Sequence, residues 1–368
     1  MKEKRKIYYL TNAEFDVQIS KGMIISMKQT GDSYQTQYAD EKLGFGGICI
    51  LYEDVHKNIV EFFANDQETY QESGVVRRDN GLSYQAKSSD GTISVSISYE
   101  LEYDKLSQKI QVINTSEKEI TLCDVGIRQA CHTEFKWGES ASPNVIGHYH
   151  IGGNSSHGTY YRVDGEGPCL IFAPQEDTQL LYYDVQKWFN PELNEREQKE
   201  TEEGKGFTML YPFAVKRAAK KGARLRTQQH TVLLKPGETA SFSFAYLWAD
   251  HFLRAGKRMA QEGLIHAVSI PGYTIPQGTN VQLCLESFWG QSEVKVFCDE
   301  SKKPISYVRT KECESGTKQY FYEFSFETLG EHTISIYYGK QKQAYLYYFA
   351  TQPVEILWEK RAAFIASH

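Results

Sequence analysis

Alternation of apolar and polar residues at every second position is the feature that most limits what this chain can fold into. In residues 92–103, Ile93, Val95, Ile97, Tyr99, Leu101 and Tyr103 alternate with serine, glutamate and other polar residues. Successive side chains of a strand point to opposite faces, so the run predicts a strand with one face buried and the other wet. The next run, residues 108–114, sets Ile110 and Val112 against Lys109 and Gln111, and Asn114-Thr115-Ser116 then turns into Ile120-Thr121-Leu122, which makes a meander. Further on, Leu233-Leu234-Lys235-Pro236-Gly237-Glu238 is a turn signal ahead of Ala240, Phe242, Phe244, Tyr246 and Trp248, all on one side of a strand. With 25 Tyr and 19 Phe, aromatics reach 13%, a bias that suits pleated faces and also supplies platforms for sugar rings.

Helical spacing is scarce by comparison. Asp250 is a candidate N-cap for a short helix carrying Phe252, Leu253, Ala255, Met259 and Ala260 before Gly263. After Pro353, Val354, Leu357, Trp358, Ala362 and Ile365 follow a 3.6-residue period and predict a helix start at the C-terminus. Residues 269–278 hold two prolines and two glycines and predict a domain boundary. Beyond them, strand-like runs at 281–286, 294–298, 320–326, 332–337 and 344–349 fit a small immunoglobulin-like sandwich. At 368 residues two domains are expected. The expected fold is all-β, with a large antiparallel sandwich over 1–265, an Ig-like sandwich over 269–350, a short helix between them and a helix start in 351–368.

Forty-one Lys and Arg against 47 Asp and Glu give a net charge of −6, which leaves no cation excess to displace counterions and argues against a nucleic-acid partner. The seven cysteines (Cys49, Cys123, Cys131, Cys169, Cys284, Cys298, Cys313) show no CxxC pair and no metal-ligand spacing, a pattern of reduced thiols. The basic start is followed by Ile7-Tyr8-Tyr9-Leu10 and then at once by Thr11, Asn12 and Glu14, without the apolar core of a signal peptide. No window of about 18 apolar residues occurs. A cytoplasmic location and no membrane partner are expected.

The richest stretch for chemistry runs from Trp137 to Arg162. His148, His150 and His157 lie within ten residues, interleaved with Gly147, Gly152, Gly153 and Gly158. On a strand His148 and His150 share a face, a spacing that can ligate a metal or place an imidazole for proton transfer. Without a fixed carboxylate or cysteine the metal reading is weak, and neither a metal nor another cofactor is expected. The plainer reading is a glycine-dependent loop whose histidines bond to nearby backbone. The sharper one is sugar contact, with Trp137, His148, Tyr149, His150, Asn154, Tyr160, Tyr161 and Arg162 as binding residues and His148, His150 and His157 as catalytic candidates. Glu134, Glu139, Asp164, Glu166 and Asp177 surround the stretch, but none is singled out as an acid or base. A nucleophile elbow, a P-loop, a dinucleotide fingerprint and a HExxH motif are absent from the sequence. Lys216-Arg217, Lys220-Lys221 and Arg224-Leu225-Arg226 form a local basic run, read either as a solvated edge that discourages strand pairing or as a site for acidic sugars.

The order of elements resembles the N-terminal half of six-hairpin glycosidase-type proteins. The segments that carry the resemblance are Val112-Ile113-Asn114-Thr115-Ser116, Ile120-Thr121-Leu122-Cys123-Asp124-Val125-Gly126, His150-Ile151-Gly152-Gly153-Asn154-Ser155-Ser156, Gly165-Glu166-Gly167-Pro168-Cys169-Leu170, Leu234-Lys235-Pro236-Gly237-Glu238, and Pro353-Val354-Glu355-Ile356-Leu357 with Lys360-Arg361-Ala362-Ala363-Phe364-Ile365. It implies a galactose-mutarotase-like β-supersandwich, then the small β domain, then an (α/α) toroid that supplies the acid and base. Three readings follow. The first is the non-catalytic, substrate-binding or scaffolding β portion of a glycoside hydrolase, with an oligo- or polysaccharide as ligand and a helical catalytic domain or partner subunit beside it. The second is a mutarotase, epimerase or lyase in its own right that uses a histidine and a carboxylate. The third is an assembly module whose C-terminal helix seeks a partner.

Overall fold

The computed structural model of the chain describes residues 6–65, 74–133, 138–187, 206–223, 225–299 and 302–367. Two compact units emerge: Met1–Ile151 with Ser156–Ala255, and Gly152–Ser155 with Gly256–His368. The fold is all-β, and helix Val354–Ser367 is present as expected, whereas the helix expected from Asp250 is a 3-10 turn, Phe252–Arg254, capped by His251 in place of Asp250, followed by helix Ala255–Gln261.

In the first unit the described strands form a nine-stranded and an eight-stranded sheet. From edge to edge the eight-stranded sheet runs Val145–His150, His157–Arg162, Cys169–Gln175, Thr239–Ala249, Lys105–Asn114, Ile93–Leu101, Gly81–Lys87 and Val76–Arg77. The nine-stranded sheet has Phe45–Glu53, Ile120–Gln129 and Gly206–Ala214 as successive neighbours, with Tyr182–Lys187 at its edge. Inward residues of both sheets, among them Ile50, Val125, Leu210, Ile97, Ile110 and Phe244, share one core, as expected of a sandwich. Burial of each such side chain contributes roughly 1.5–3 kcal/mol.

The sequence pattern has direct counterparts here. Ile93, Val95, Ile97, Tyr99 and Leu101 are buried, and Ile97 pairs with Ile110 across the meander. Tyr103, expected to continue the inward row, is instead 78% exposed, because the strand ends at Leu101 and Glu102 N bonds Lys105 O in the hairpin turn. Asn114 is fully buried for a stated reason: its Nδ2 donates to the carbonyls of Lys118 (2.7 Å) and Leu234 (2.9 Å), and its Oδ1 accepts from Ser116 N (3.0 Å). One amide thereby joins two turns. At Pro236-Gly237, φ of +77° at Gly237 and a bond from Glu238 N to Lys235 O (2.9 Å) make the turn that proline at the second position and glycine at the third favour.

The second unit pairs a four-stranded sheet, in the order His266–Ile270, Val281–Ser287, Lys318–Phe324 and Ser306–Glu312, with a five-stranded one, in the order Thr274–Pro276, Lys342–Thr351, Gly330–Tyr338, Val294–Cys298 and Lys303–Pro304. Its core takes Val281, Leu283 and Tyr320 from the first and Val296, Ile334 and Leu346 from the second. Each of the five strand-like runs falls on a strand, the third ending at Phe324. Two strands run into the segment 269–278 that reads as a boundary: His266–Ile270 pairs antiparallel with Val281–Ser287, and Thr274–Pro276 parallel with Lys342–Thr351. Ser306–Glu312 left no signal, since every one of its residues is exposed and nothing alternates.

Helix Ala255–Gln261 lies mostly in the second unit, and its Gly256 leaves room for a ring: a Cβ there would fall 2.2 Å from His266 Cε1. Burial pulls the His266 imidazole below its usual range, against the opposing pull of Glu286 across the strand pair. A depressed histidine contributes stability that is present above its unfolded value of about 6.5 and lost as pH falls through the folded value. The second unit is therefore expected to melt earlier at about pH 5 than at about pH 7.5, and His266→Phe, which cannot titrate, should flatten part of that slope. Melting curves of both proteins across this range would check it, and parallel slopes would remove His266 as the cause.

Helix Val354–Ser367 exposes all its described residues, Trp358 and Phe364 included. No helix among the described residues is long and apolar enough to cross a membrane. The seven cysteines are free thiols.

Candidate functional site

The histidine stretch folds as an edge hairpin, Val145–His150 against His157–Arg162. Opposite residues share a face, and the register Gly147↔Tyr160, Tyr149↔Gly158, His148↔Thr159 and His150↔His157 sorts the candidates into two sets.

One set faces the core. Tyr160 is fully buried and donates to Gln129 Oε1 (3.0 Å), whose Nε2 in turn donates to Tyr246 Oη (3.2 Å). Tyr149 packs edge-on against it, ring centroids 5.8 Å apart, and burial pushes both phenols up. Gly147 and Gly158 make this possible, since a Cβ on either would come within 2.8 Å of a tyrosine hydroxyl. Tyr149 and Tyr160 are thus packing residues and not sugar platforms. Arg162, 7% exposed, is likewise committed: Nε and Nη2 bond the two oxygens of Asp164 (3.0 and 2.6 Å), and the guanidinium lies 4.5 Å from the Tyr34 ring centre. Those hydrogen bonds hold the Asp164 carboxyl below the usual range. Asn154 is buried in the second unit, where its Oδ1 accepts from Gln343 N (2.9 Å) and its own N–H bonds Gln343 O (2.8 Å). Trp137 and Glu134 lie outside the described residues.

The other set faces away from the core. His148 is exposed and stacks on Tyr161 (5.4 Å, 7° between planes), Tyr161 on Phe252 (4.9 Å, 17°), and Phe252 meets His251 (4.7 Å). His150 and His157 stand side by side with ring centroids 5.4 Å apart. The stacked rings of His148, Tyr161 and Phe252 cover one another's faces and present their edges outward. Imidazoles can donate and accept at once, as hydroxyl recognition requires. Among the described residues no group of three or more His, Cys, Asp or Glu could hold a metal ion.

A second polar region lies on the outer face of the nine-stranded sheet. The first part of the basic run is not a strand edge: Val215–Lys220 is a helix, and Asp124 caps it by accepting from Lys216 N (2.8 Å) and Arg217 N (2.9 Å). Lys216 pairs with Glu53 (3.1 Å), Arg217 with Glu61 (2.5 Å) and Lys221 with Asp184, while Arg224 lies outside the described residues. Tyr182 and Tyr211 pack beside them, 5.6 Å between centroids. Burial pushes the Asp124 carboxyl up, although the backbone N–H groups and Arg217 pull it down. Of the remaining acids, Glu139 and Glu166 are exposed, and Asp177 lines a small cavity of about 180 Å³ with Thr178, His230 and Phe242.

A family model of unknown function, DUF5695, matches residues 32–368. The chain belongs to this family. No curated protein matches the sequence. Among solved structures, a polysaccharide lyase aligns at TM-score 0.70 and 14% identity over 98% of this chain and 48% of its own. This DUF5695 chain thus spans about half the length of that lyase, and at that identity the likeness is one of fold. A galactose mutarotase related enzyme from Lactobacillus acidophilus aligns at TM-score 0.43 and 11% identity, over 67% of this chain and 98% of its own. A putative aldose 1-epimerase from Escherichia coli aligns at 0.44 and 11%, over 67% and 100%.

Sequence reasoning singled out Lys216, Arg217 and Lys221 of this DUF5695 chain but missed their partners Glu53, Glu61, Asp124 and Asp184, and one signal was available. Asp124 stands between the buried Cys123 and Val125 in the strand Ile120–Gln129, and a charge within such a buried run marks a partnered polar site.

Proposed function

We propose that the chain is the saccharide-binding β portion of a carbohydrate-processing protein, working beside a helical catalytic domain or partner subunit of the glycoside hydrolase or lyase kind. The observation that carries this is the match of both units, 98% of the chain, to half of a polysaccharide lyase. The outward row His148, Tyr161, Phe252 and His251, with His150 and His157 beside it, supports contact with a hydroxyl-rich ligand. The described histidines of the hairpin and the carboxylates Glu61, Asp124 and Asp184 lie on different sheets, which favours binding over a histidine–carboxylate reaction.

A stand-alone lyase or epimerase is the second reading, and the grouping of Tyr182, Tyr211, Arg217 and Asp184 supports it in place of the histidines. Incubating the chain with neutral and uronate-containing polysaccharides, and following both reducing ends and unsaturated products, separates the two. Binding without turnover is the expected result. Turnover abolished by Tyr182→Phe would establish the second reading instead.

A further inference from the structure

The second unit holds a cleft that the hairpin plays no part in. It has a volume of about 410 Å³ and lies between the edges of that unit's two sheets, with Lys303 and Pro304 on one side and Ser306 and Glu323 on the other. Its floor is carbon: Cys298, Ile305, Phe324 and Phe326 line it. Phe326 is fixed there, stacked at 4.1 Å on His332, whose Nε2 lies 2.8 Å from Thr328 O and is held to that carbonyl. Phe324 meets Phe326 and Tyr348 edge to face, at 5.3 and 5.5 Å. The floor is therefore held by ring contacts within the unit's own core.

The rim is polar and only partly used. Glu327 spends one oxygen on Ser325 Oγ (3.0 Å), and Glu323 accepts from Gln282 Nε2 (3.1 Å) at one oxygen. The hydroxyls of Ser306 and Thr328, both exposed residues, complete the rim beside Lys303. Each carboxylate keeps acceptor capacity, since an ionised carboxylate offers about four lone-pair sites. An apolar floor below a ring of hydroxyls and carboxylates matches a pyranose, which has a carbon-bound face and hydroxyl donors around its edge. The volume falls within the range of about 300–1,000 Å³ typical of small-ligand sites.

We infer that this cleft is a second saccharide site, specific for a neutral sugar because two carboxylates on its rim face one lysine. This inference rests on the carbohydrate reading given above. It gives each unit a saccharide contact of its own.

Calorimetric titration of the intact chain with tetrasaccharides of glucose, xylose, mannose, galacturonate and glucuronate tests it. Three variants are compared with the unaltered protein: Ser306→Trp, which fills the cleft from an exposed position, Glu327→Gln, and the hairpin double variant His148→Ala with Tyr161→Ala. Ser306→Trp is expected to lower the stoichiometry for a neutral tetrasaccharide from about two to about one or weaken the second binding event at least about tenfold. Glu327→Gln should weaken the same event several-fold, and the hairpin variant should leave it intact. Isotherms of Ser306→Trp and Glu327→Gln that superimpose on that of the unaltered chain, with binding lost only in the hairpin variant, would overturn the inference and leave the carbohydrate reading standing. Failure of the unaltered chain to bind any tetrasaccharide would overturn both.

Discussion

Gly22→Ala is expected to destabilise the first unit by about 3 kcal/mol or more, which for a unit of this size lowers the melting temperature by roughly 6–12 °C. Two effects combine. Gly22 has φ of +70°, a conformation that costs an L-residue about 1–2 kcal/mol. A Cβ there would also fall 1.7 Å from Tyr84 Cζ, inside the ring's own volume. Tyr84 has nowhere simple to go: it is 1% exposed, its hydroxyl donates to Gly22 O (2.5 Å) and accepts from Asn65 Nδ2 (3.2 Å), and Tyr99 Oη donates to the same carbonyl (3.1 Å). Moving the ring breaks a buried network of the kind whose orphaned members cost about 1–3 kcal/mol each. Gly31→Ala is the control, since Gly31 has φ of +86° with nothing within 4 Å of a Cβ. It should show the backbone cost alone. Equal losses in the two variants would mean that Tyr84 does not confine Gly22.

Arg162→Ala is expected to cost about 1–2 kcal/mol of stability, because water can replace the guanidinium at the exposed Asp164, while leaving saccharide contact to the hairpin's other face. Removal of the guanidinium strips Asp164 of its two-point partner and uncovers the Tyr34 ring. Arg162→Lys restores a charge but not the planar fork, so it should recover only part of the loss. Folded Arg162→Lys should bind oligosaccharide within about twofold of the unaltered chain, because the guanidinium is already committed to Asp164. Urea melts paired with a binding titration would check both halves. A stable Arg162→Lys that no longer binds would return Arg162 to the ligand.

How much of this was legible beforehand depended on the kind of signal. Alternation located Ile93–Leu101 and the inward row Phe242, Phe244, Tyr246 and Trp248, since burial on one face imposes a two-residue period. Ser306–Glu312 is a strand by pairing alone and leaves no such period. His266–Ile270 and Thr274–Pro276 flank prolines and glycines that read as a linker, although their backbone bonds go to sheets. At the hairpin the segment was legible but its faces were not. Which of Tyr149, Tyr160, Tyr161 and Arg162 look inward depends on register, and a one-residue slip exchanges the sets. The ion pairs that engage Lys216, Arg217 and Lys221 join residues more than thirty positions apart, beyond the reach of any local pattern.

The central claim is that the outward face of the hairpin holds saccharide. Titration of the chain and of its His148→Ala, Tyr161→Ala double variant with one oligosaccharide that the unaltered chain binds tests it most directly. Both side chains leave the core packing of Tyr149 and Tyr160 untouched, so the double variant should stay folded with only the loss of the Tyr161–Phe252 stack, about 0.5–1.5 kcal/mol. The expected result is a loss of about 10- to 100-fold in affinity at the hairpin, equivalent to the removal of one or two hydrogen bonds and a ring contact. Superimposable isotherms from the folded double variant would contradict the claim.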